Sequence, residues 1–189
     1  MNKISDILFS LRKPKVVIVS GSNSQMIKEN IQQVLKPYFT TIKEALVVES
    51  NLEKIEEIKF LMNNSPLPVL ALSDVPFEKI KAVINEMPKQ GFLILKFDEE
   101  IVKRLKEETS VSFLSFGFNE KADFSASDIN VNGGVNFKIN YKGSIVPVWL
   151  EKSKGEEQIP FVLEAAAVGT VLGLNLIEIS QSFKTPDKI

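Results

Sequence analysis

Neither cysteine nor histidine occurs among the 189 residues. The first absence excludes disulfides, thiolate catalysis and cysteine-bound metals. The second removes the usual general base at neutral pH, the serine–histidine triads built on it, and the commonest metal ligand. An excess of one charge is also lacking. Lys+Arg 23 against Asp+Glu 24 leaves a formal net charge of -1, and no window is densely basic, so a nucleic-acid or anionic-membrane surface is not expected. No apolar run approaches the ~20 residues that a membrane span needs. The start of the chain shows neither the unbroken apolar segment nor the small-residue cleavage site of a secretory signal. The expected location is the cytoplasm, and the expected partners are proteins or small molecules.

With 44% hydrophobic and 25% charged residues, the chain reads as one globular α/β domain over residues 14–183, large enough to bury about 70% of its unfolded surface. A leading helix over residues 1–13 carries Ile4, Ile7, Leu8 and Leu11 at helical spacing. A polar tail over residues 184–189 is expected to fray. Short apolar strands are expected at Lys15–Ser20, Ala45–Glu49, Val69–Leu72, Phe92–Leu95 and Ser112–Gly117. Helices at Met26–Leu35, Glu53–Met62, Pro76–Met87 and Glu99–Glu108 separate them. That alternation predicts a mostly parallel sheet covered on both faces, a three-layer architecture. From Phe124 the pattern becomes alternating apolar and polar, in Phe124–Asn130, Val135–Tyr141 and Ser144–Leu150, with glycine turns between. These segments predict an antiparallel meander. A charged loop over 151–158, an alanine-rich helix at Ile159–Leu172 and a short helix at Asn175–Phe183 complete the expected domain.

The stretch that organises the rest is Lys15–Lys28: a β-branched run, a glycine turn, then helical sequence. Strand, turn and helix in this order are the frame of a phosphate-binding loop. Such a loop needs a glycine for close backbone approach to the anion, a lysine for charge, and a Ser or Thr hydroxyl for magnesium. Ser24, Gln25 and Met26 occupy those three places. A lost charge-assisted hydrogen bond from the lysine alone removes about 1.5–3 kcal/mol of binding. Gly21, Ser22, Asn23, Ser24 and Gln25 are therefore the candidate phosphate loop, with the alternative of an ordinary strand-to-helix turn capped by Asn23 or Ser24. Lys28, one turn into the helix, is the nearest substitute charge.

Ser20-Gly21-Ser22-Asn23 resembles the first half of Thr-Gly-(Thr/Ser)-Asn-Gly-Lys-Thr-Thr in the central ATPase domain of the Mur ligases. The branch that adds D-alanyl-D-alanine to the UDP-muramoyl-tripeptide is the most similar. The resemblance continues through Leu46-Val47-Val48-Glu49, Val69–Val75, Gly91–Glu99, Phe116-Gly117 with Ala122-Asp123-Phe124-Ser125-Ala126, and Gly155–Val168. It implies a fold like that of nucleoside triphosphatases with a phosphate loop, and makes Glu49 the one candidate magnesium ligand, with the alternative of a solvated or N-cap-like carboxylate. The family's histidine and carbamylated lysine after the third strand have no counterpart here. Glu157, Gln158 and Phe161 stand where the family has His, Asn and the Asn associated with adenine.

Among other candidates, Asp98, Glu99 and Glu100 read as paired carboxylates or as acids placed for a helix macrodipole. Asp123 and Asp128 read as solvated residues flanking an edge-type strand. Trp149 and Phe161 read as core or as an interaction patch. The expectation is a degenerate, non-catalytic Mur-ligase-like central domain that acts as a binding or assembly module for a protein partner, linked to cell-wall synthesis, with no cofactor. One alternative is an atypical ATP- and magnesium-binding ligase or ATPase completed by a partner chain. Another is a binder of a phosphate or other anionic ligand at Gly21–Ser24.

Overall fold

Side chains buried on both sides of a strand require a covering layer on each side, and the strand Lys15–Gly21 (β1) shows this directly. Val16, Val17, Ile18 and Val19 are all 0% exposed. In the computed structural model, which describes residues 11–39, 44–151 and 155–184, Val17 and Val19 join one hydrophobic cluster while Val16 and Ile18 join another. Successive residues of a strand point to opposite faces, so the split marks two cores divided by the sheet. Fully burying each such side chain contributes about 1.5–3 kcal/mol.

β1 pairs in parallel with Ala45–Glu49 (β2) and Pro68–Ser73 (β3). Parallel pairing continues through Phe92–Lys96 (β4), Ser112–Gly117 (β5) and Phe124–Asn130 (β6). Val135–Tyr141 (β7) and Ser144–Leu150 (β8) then add antiparallel. The eight strands form a single sheet in the order β2-β1-β3-β4-β5-β6-β7-β8. This is the expected mostly parallel sheet with a C-terminal meander. β1 lies one strand in from the β2 edge. β6 is not the edge strand expected from its alternating pattern: it is held between β5 and β7, and the edges are β2 and β8.

The helices are Ser24–Leu35 (α1), Ile55–Asn63 (α2), Phe77–Ile84 (α3), Glu99–Glu108 (α4), Ile159–Val171 (α5) and Leu176–Ser182 (α6). Ile27, Ile31 and Val34 of α1 and Val162–Val168 of α5 supply the first core, while α2, α3 and α4 supply the second. Three helix boundaries differ from expectation by two residues or more, for local reasons. α1 starts at Ser24, two residues early, because Asn23 already adopts the turn conformation. α2 starts two residues late because the Asn51 side chain accepts from the Glu53 N–H and spends those residues in a turn. α3 stops at Ile84, where Glu86 and Met87 donate in short turns to Val83 and Ile84 ahead of Pro88. Of the expected leading helix, only Leu11–Lys13 fall among the described residues, and of the tail only Lys184.

α5 is apolar all round, the pattern of a helix buried on every side. Gly169 lets it approach α1 closely: a Cβ there would lie 3.0 Å from Val34 Cγ1. α6 then seals the same core with Leu176 and Ile179. Its start is fixed by a capping box, in which Asn175 accepts from the Ile177 and Glu178 N–H groups and Glu178 accepts from the Asn175 N–H. Asn175→Ala is expected to lower stability by about 1 kcal/mol, read as a shifted urea midpoint with an unchanged slope.

Candidate functional site

Parallel strands expose their carboxyl ends together, and the loops leaving β1, β2 and β3 meet there. They enclose a cleft of about 530 Å³ lined by Gly21, Ser22 and Ser24 after β1, by Glu49, Ser50 and Lys54 at the end of β2 and beyond, and by Asp74, Pro76 and Lys79 after β3. This is the general position for ligands in open α/β sheets. A smaller cleft of about 290 Å³ adjoins it, shares Asp74 and Val75, and runs over Lys96, Phe97 and Asp98.

Gly21 sets the geometry of the turn. Its φ is +108°, and a Cβ would lie 1.8 Å from the Ser73 carbonyl oxygen. That close approach lets the Ser22 N–H donate to the same carbonyl at 3.1 Å. Asn23 follows with φ 58°, and its side chain makes no capping bond. The expected Asn23 cap is thus absent, because a left-handed residue at that position turns the side chain away from the helix N–H groups it would have to meet. Ser24 does not cap either: its hydroxyl donates to the Glu49 carboxylate. Gln25 points along the helix, donating to Glu29 at 3.2 Å. Asn23, Gln25, Met26 and Lys28 do not line the cleft, whereas Gly21, Ser22, Ser24 and Glu49 do.

The charges in the cleft are mixed and mostly committed. Lys79 pairs with Glu53 at 3.4 Å, Lys54 with Glu57 at 3.9 Å, and Asp74 with Lys96 at 3.1 Å. Among the described residues no group of three metal-ligating side chains occurs. The donor set suits a small polar molecule. The Ser22 N–H is committed to the protein, no lysine of the turn faces the cleft, and the Glu49 carboxylate stands beside the turn.

One polar residue was invisible to pattern reasoning. Glu164, midway along α5, is 0% exposed. Its Oε2 accepts from the Ser73 hydroxyl at 2.8 Å, and Oε1 has no hydrogen-bond partner among the described residues. Burial pushes its carboxyl up to about 8; the Ser73 bond pulls the other way, and the Asp74 charge adds to the rise. The available signal was an acid within an otherwise apolar helix, where no polar face exists to receive it.

The remaining candidates separate. Asp98 is the N-cap of α4 and accepts from the Ile101 N–H at 2.9 Å, while Glu99 pairs with Lys121 at 2.9 Å, so the acids at 98–100 serve the helix start. Asp123 is more than a solvated acid: its Oδ2 accepts from the Ser115 N–H and hydroxyl at 2.8 and 2.7 Å, tying β6 to β5. Asp128 pairs with Lys138 on the exposed side, beside a register shift in β6. Phe161 packs on the first core, whereas Trp149 is 53% exposed on the edge strand β8. Gly155 and Glu157 precede α5, with a short 3-10 turn at Glu156–Gln158.

No family profile matches the chain. A UDP-N-acetylmuramate–L-alanine ligase of Alkaliphilus metalliredigens is 24% identical over 168 residues, covering 87% of this chain and 36% of that protein. The ligase of the same name from Dictyoglomus turgidum is 31% identical over 107 residues, covering 52% of this chain and 22% of that protein. The chain is similar to Mur ligases in sequence over most of its length. Its fold is shared by solved Mur ligases. MurF from Thermotoga maritima in complex with ADP gives a TM-score of 0.65 at 19% identity, covering 93% of this chain and 51% of that one. The D-alanyl-D-alanyl ligase of Acinetobacter baumannii gives 0.69 at 17%, covering 94% and 48%. The chain spans about a third of the first sequence relative and about half of those solved chains. The matches carry the names of different Mur ligases, so the similarity points to no single branch.

Proposed function

We propose that this chain is a Mur-ligase-like central domain that keeps the three-layer scaffold without ATP-dependent ligation, and that it acts in the cytoplasm as a binding or assembly module for a protein partner of cell-wall synthesis. The carrying observation is the turn itself. Its Ser22 N–H bonds to Ser73, and its Ser24 hydroxyl bonds to Glu49. Gln25 and Met26 stand where the resemblance calls for lysine and a magnesium hydroxyl, and neither lines the cleft, so an incoming phosphate would meet the Glu49 carboxylate with no cation from the turn beside it. Two unit charges of like sign 4 Å apart near a protein surface repel by roughly 4 kcal/mol. Glu49 favours one other reading, the atypical ligase completed by a partner chain, because it lies beside the turn as the implied magnesium ligand would.

Calorimetric titration with ATP, with and without magnesium, tests the proposal. No saturable heat and no thermal stabilisation are expected at millimolar nucleotide. Saturable magnesium-dependent binding that disappears in Glu49→Ala would overturn it in favour of the ligase. Saturable heat with inorganic phosphate alone would overturn it in favour of the anion binder.

A further inference from the structure

The two edges of the sheet are finished differently. At the centre of β8 stands Pro147, which has no N–H to offer, and its carbonyl already accepts from the Ser180 hydroxyl. β2, the other edge, has no proline and no lysine, and its Ala45, Leu46, Val47 and Val48 are half-buried where the neighbouring Val16–Val19 are wholly buried. The ladder to β1 decides which backbone groups of β2 are spoken for. The Lys15 N–H donates to the Glu44 carbonyl, and the Ser50 N–H to the Val19 carbonyl. With Lys15 in register with Ala45 and Val19 with Glu49, the even-numbered residues 44–50 bond β1, and Ala45, Val47 and Glu49 turn their N–H and C=O groups outward. Among the described residues no strand pairs with that side. An apolar edge of this kind is a template for a further strand. We propose that it pairs with the same edge of a second copy of this chain, antiparallel about a two-fold axis at Val47.

The segment is complementary to itself in that arrangement. Centring on Val47 sets Val47 against Val47 and Ala45 against Glu49, so every outward N–H and C=O of both strands finds a partner. Leu46 of each copy then faces Val48 of the other, apolar against apolar. Moving the axis to Leu46 or Val48 leaves Glu49 or Ala45 unmatched within the strand, and moving it to Glu49 opposes two carboxylates. Charge also fits: Glu49 of the second copy arrives beside Ala45 on the face that carries Lys15, about 10 Å away at two strand spacings. Because β8 is blocked at its centre, the joined sheet closes as a symmetric pair and does not extend into a fibre. The strands run antiparallel, so the two clefts, each at the carboxyl end of β2, open at opposite ends of the joint. The pairing goes beyond the proposed function and holds whether or not the cleft takes a nucleotide.

Sedimentation of the full chain from micromolar to millimolar concentration tests the pairing, with the mass of two chains expected at the upper end. Val47→Pro is expected to hold the mass at one chain, because the lost N–H points outward and the bonds to β1 survive. Ile145→Lys, on the exposed side of β8, is expected to leave the dimer unchanged. In an equal mixture of isotope-labelled and unlabelled wild-type chains, NMR should show Leu46 of one copy in contact with Val48 of the other. The Val47 amide should gain roughly 10-fold or more protection from exchange as concentration rises. A wild-type chain that stays single at millimolar concentration would overturn the pairing and leave the edge to a strand of another protein. So would a dimer that persists in Val47→Pro, or one in which Leu46 and Val48 of different copies do not meet. The first and last of these are read on wild-type chains, so the answer stands even where a variant fails to fold.

Discussion

Gly21→Ala is expected to lower the stability of the domain by about 3–5 kcal/mol, a very large effect for one methyl group. Two penalties combine. The residue sits at φ +108°, where a side chain strains the backbone by about 1–3 kcal/mol. The added carbon would also lie 1.8 Å from the Ser73 carbonyl oxygen, a backbone atom that cannot swing aside. Overpacking of this kind costs a further 1–3 kcal/mol or so. For a chain of this size the melting temperature falls by roughly 2–4 °C per kcal/mol. Gly133→Ala is the control: φ is +72° there too, but no atom lies within 4 Å. Its loss should stay near 1 kcal/mol. Equal losses at both positions would show that conformation alone, and not the contact with β3, makes glycine necessary at the turn.

The second large effect is a stability that falls as pH rises through neutrality. The Glu164 carboxyl is raised from 4.5 to about 8 in the folded chain, chiefly by burial. Between those values the native state holds a proton that the unfolded chain has released. Stability must then decrease with increasing pH across that window, with the full contribution present below 4.5 and gone above 8. A shift of this size corresponds to about 4–5 kcal/mol. Denaturation at pH 5, 6, 7 and 8 should show the decline, and Glu164→Gln should remove most of the slope. Glu108 works in the opposite sense. Bonds from Lys81 and then Arg104 hold its carboxyl below 4.5, so its contribution is lost only as pH falls further, outside the window. A wild-type stability that stays level or rises from pH 5 to 8 would contradict the assignment to Glu164.

The strands were legible because their burial is written in composition. Val16–Val19 and Val69–Leu72 are continuous apolar runs, and the meander alternates with glycine turns, so eight strands emerge near their observed limits. Lateral order was less legible. The alternation in Phe124–Asn130 suggests an edge, yet that strand is paired on both sides, because alternation reports which face is wet and not which neighbours are present. At the site, the turn and Glu49 could be placed together from the strand–turn–helix frame. The bond between Ser22 and Ser73 could not, since it joins residues 51 positions apart through strand order. Glu164 was missed for a related reason. An acid in a helix is read as surface by default, and only the layer packed over α5 shows that this helix has no surface to offer.

Position along the chain gives the burial of α5 a meaning for biosynthesis. The ribosome delivers β1, β3, β4 and β5 well before the helix that roofs one of their faces. Until Ile159–Val171 emerges, Val17, Val19, Val69, Ala71 and Ile94 have only the cover that α1 supplies. A nascent chain halted before that point would present a sticky open sheet, the kind of surface on which chaperones act. Completion of that core thus waits for a helix far in sequence from the strands it covers, and the helix brings a lone carboxyl into the contact.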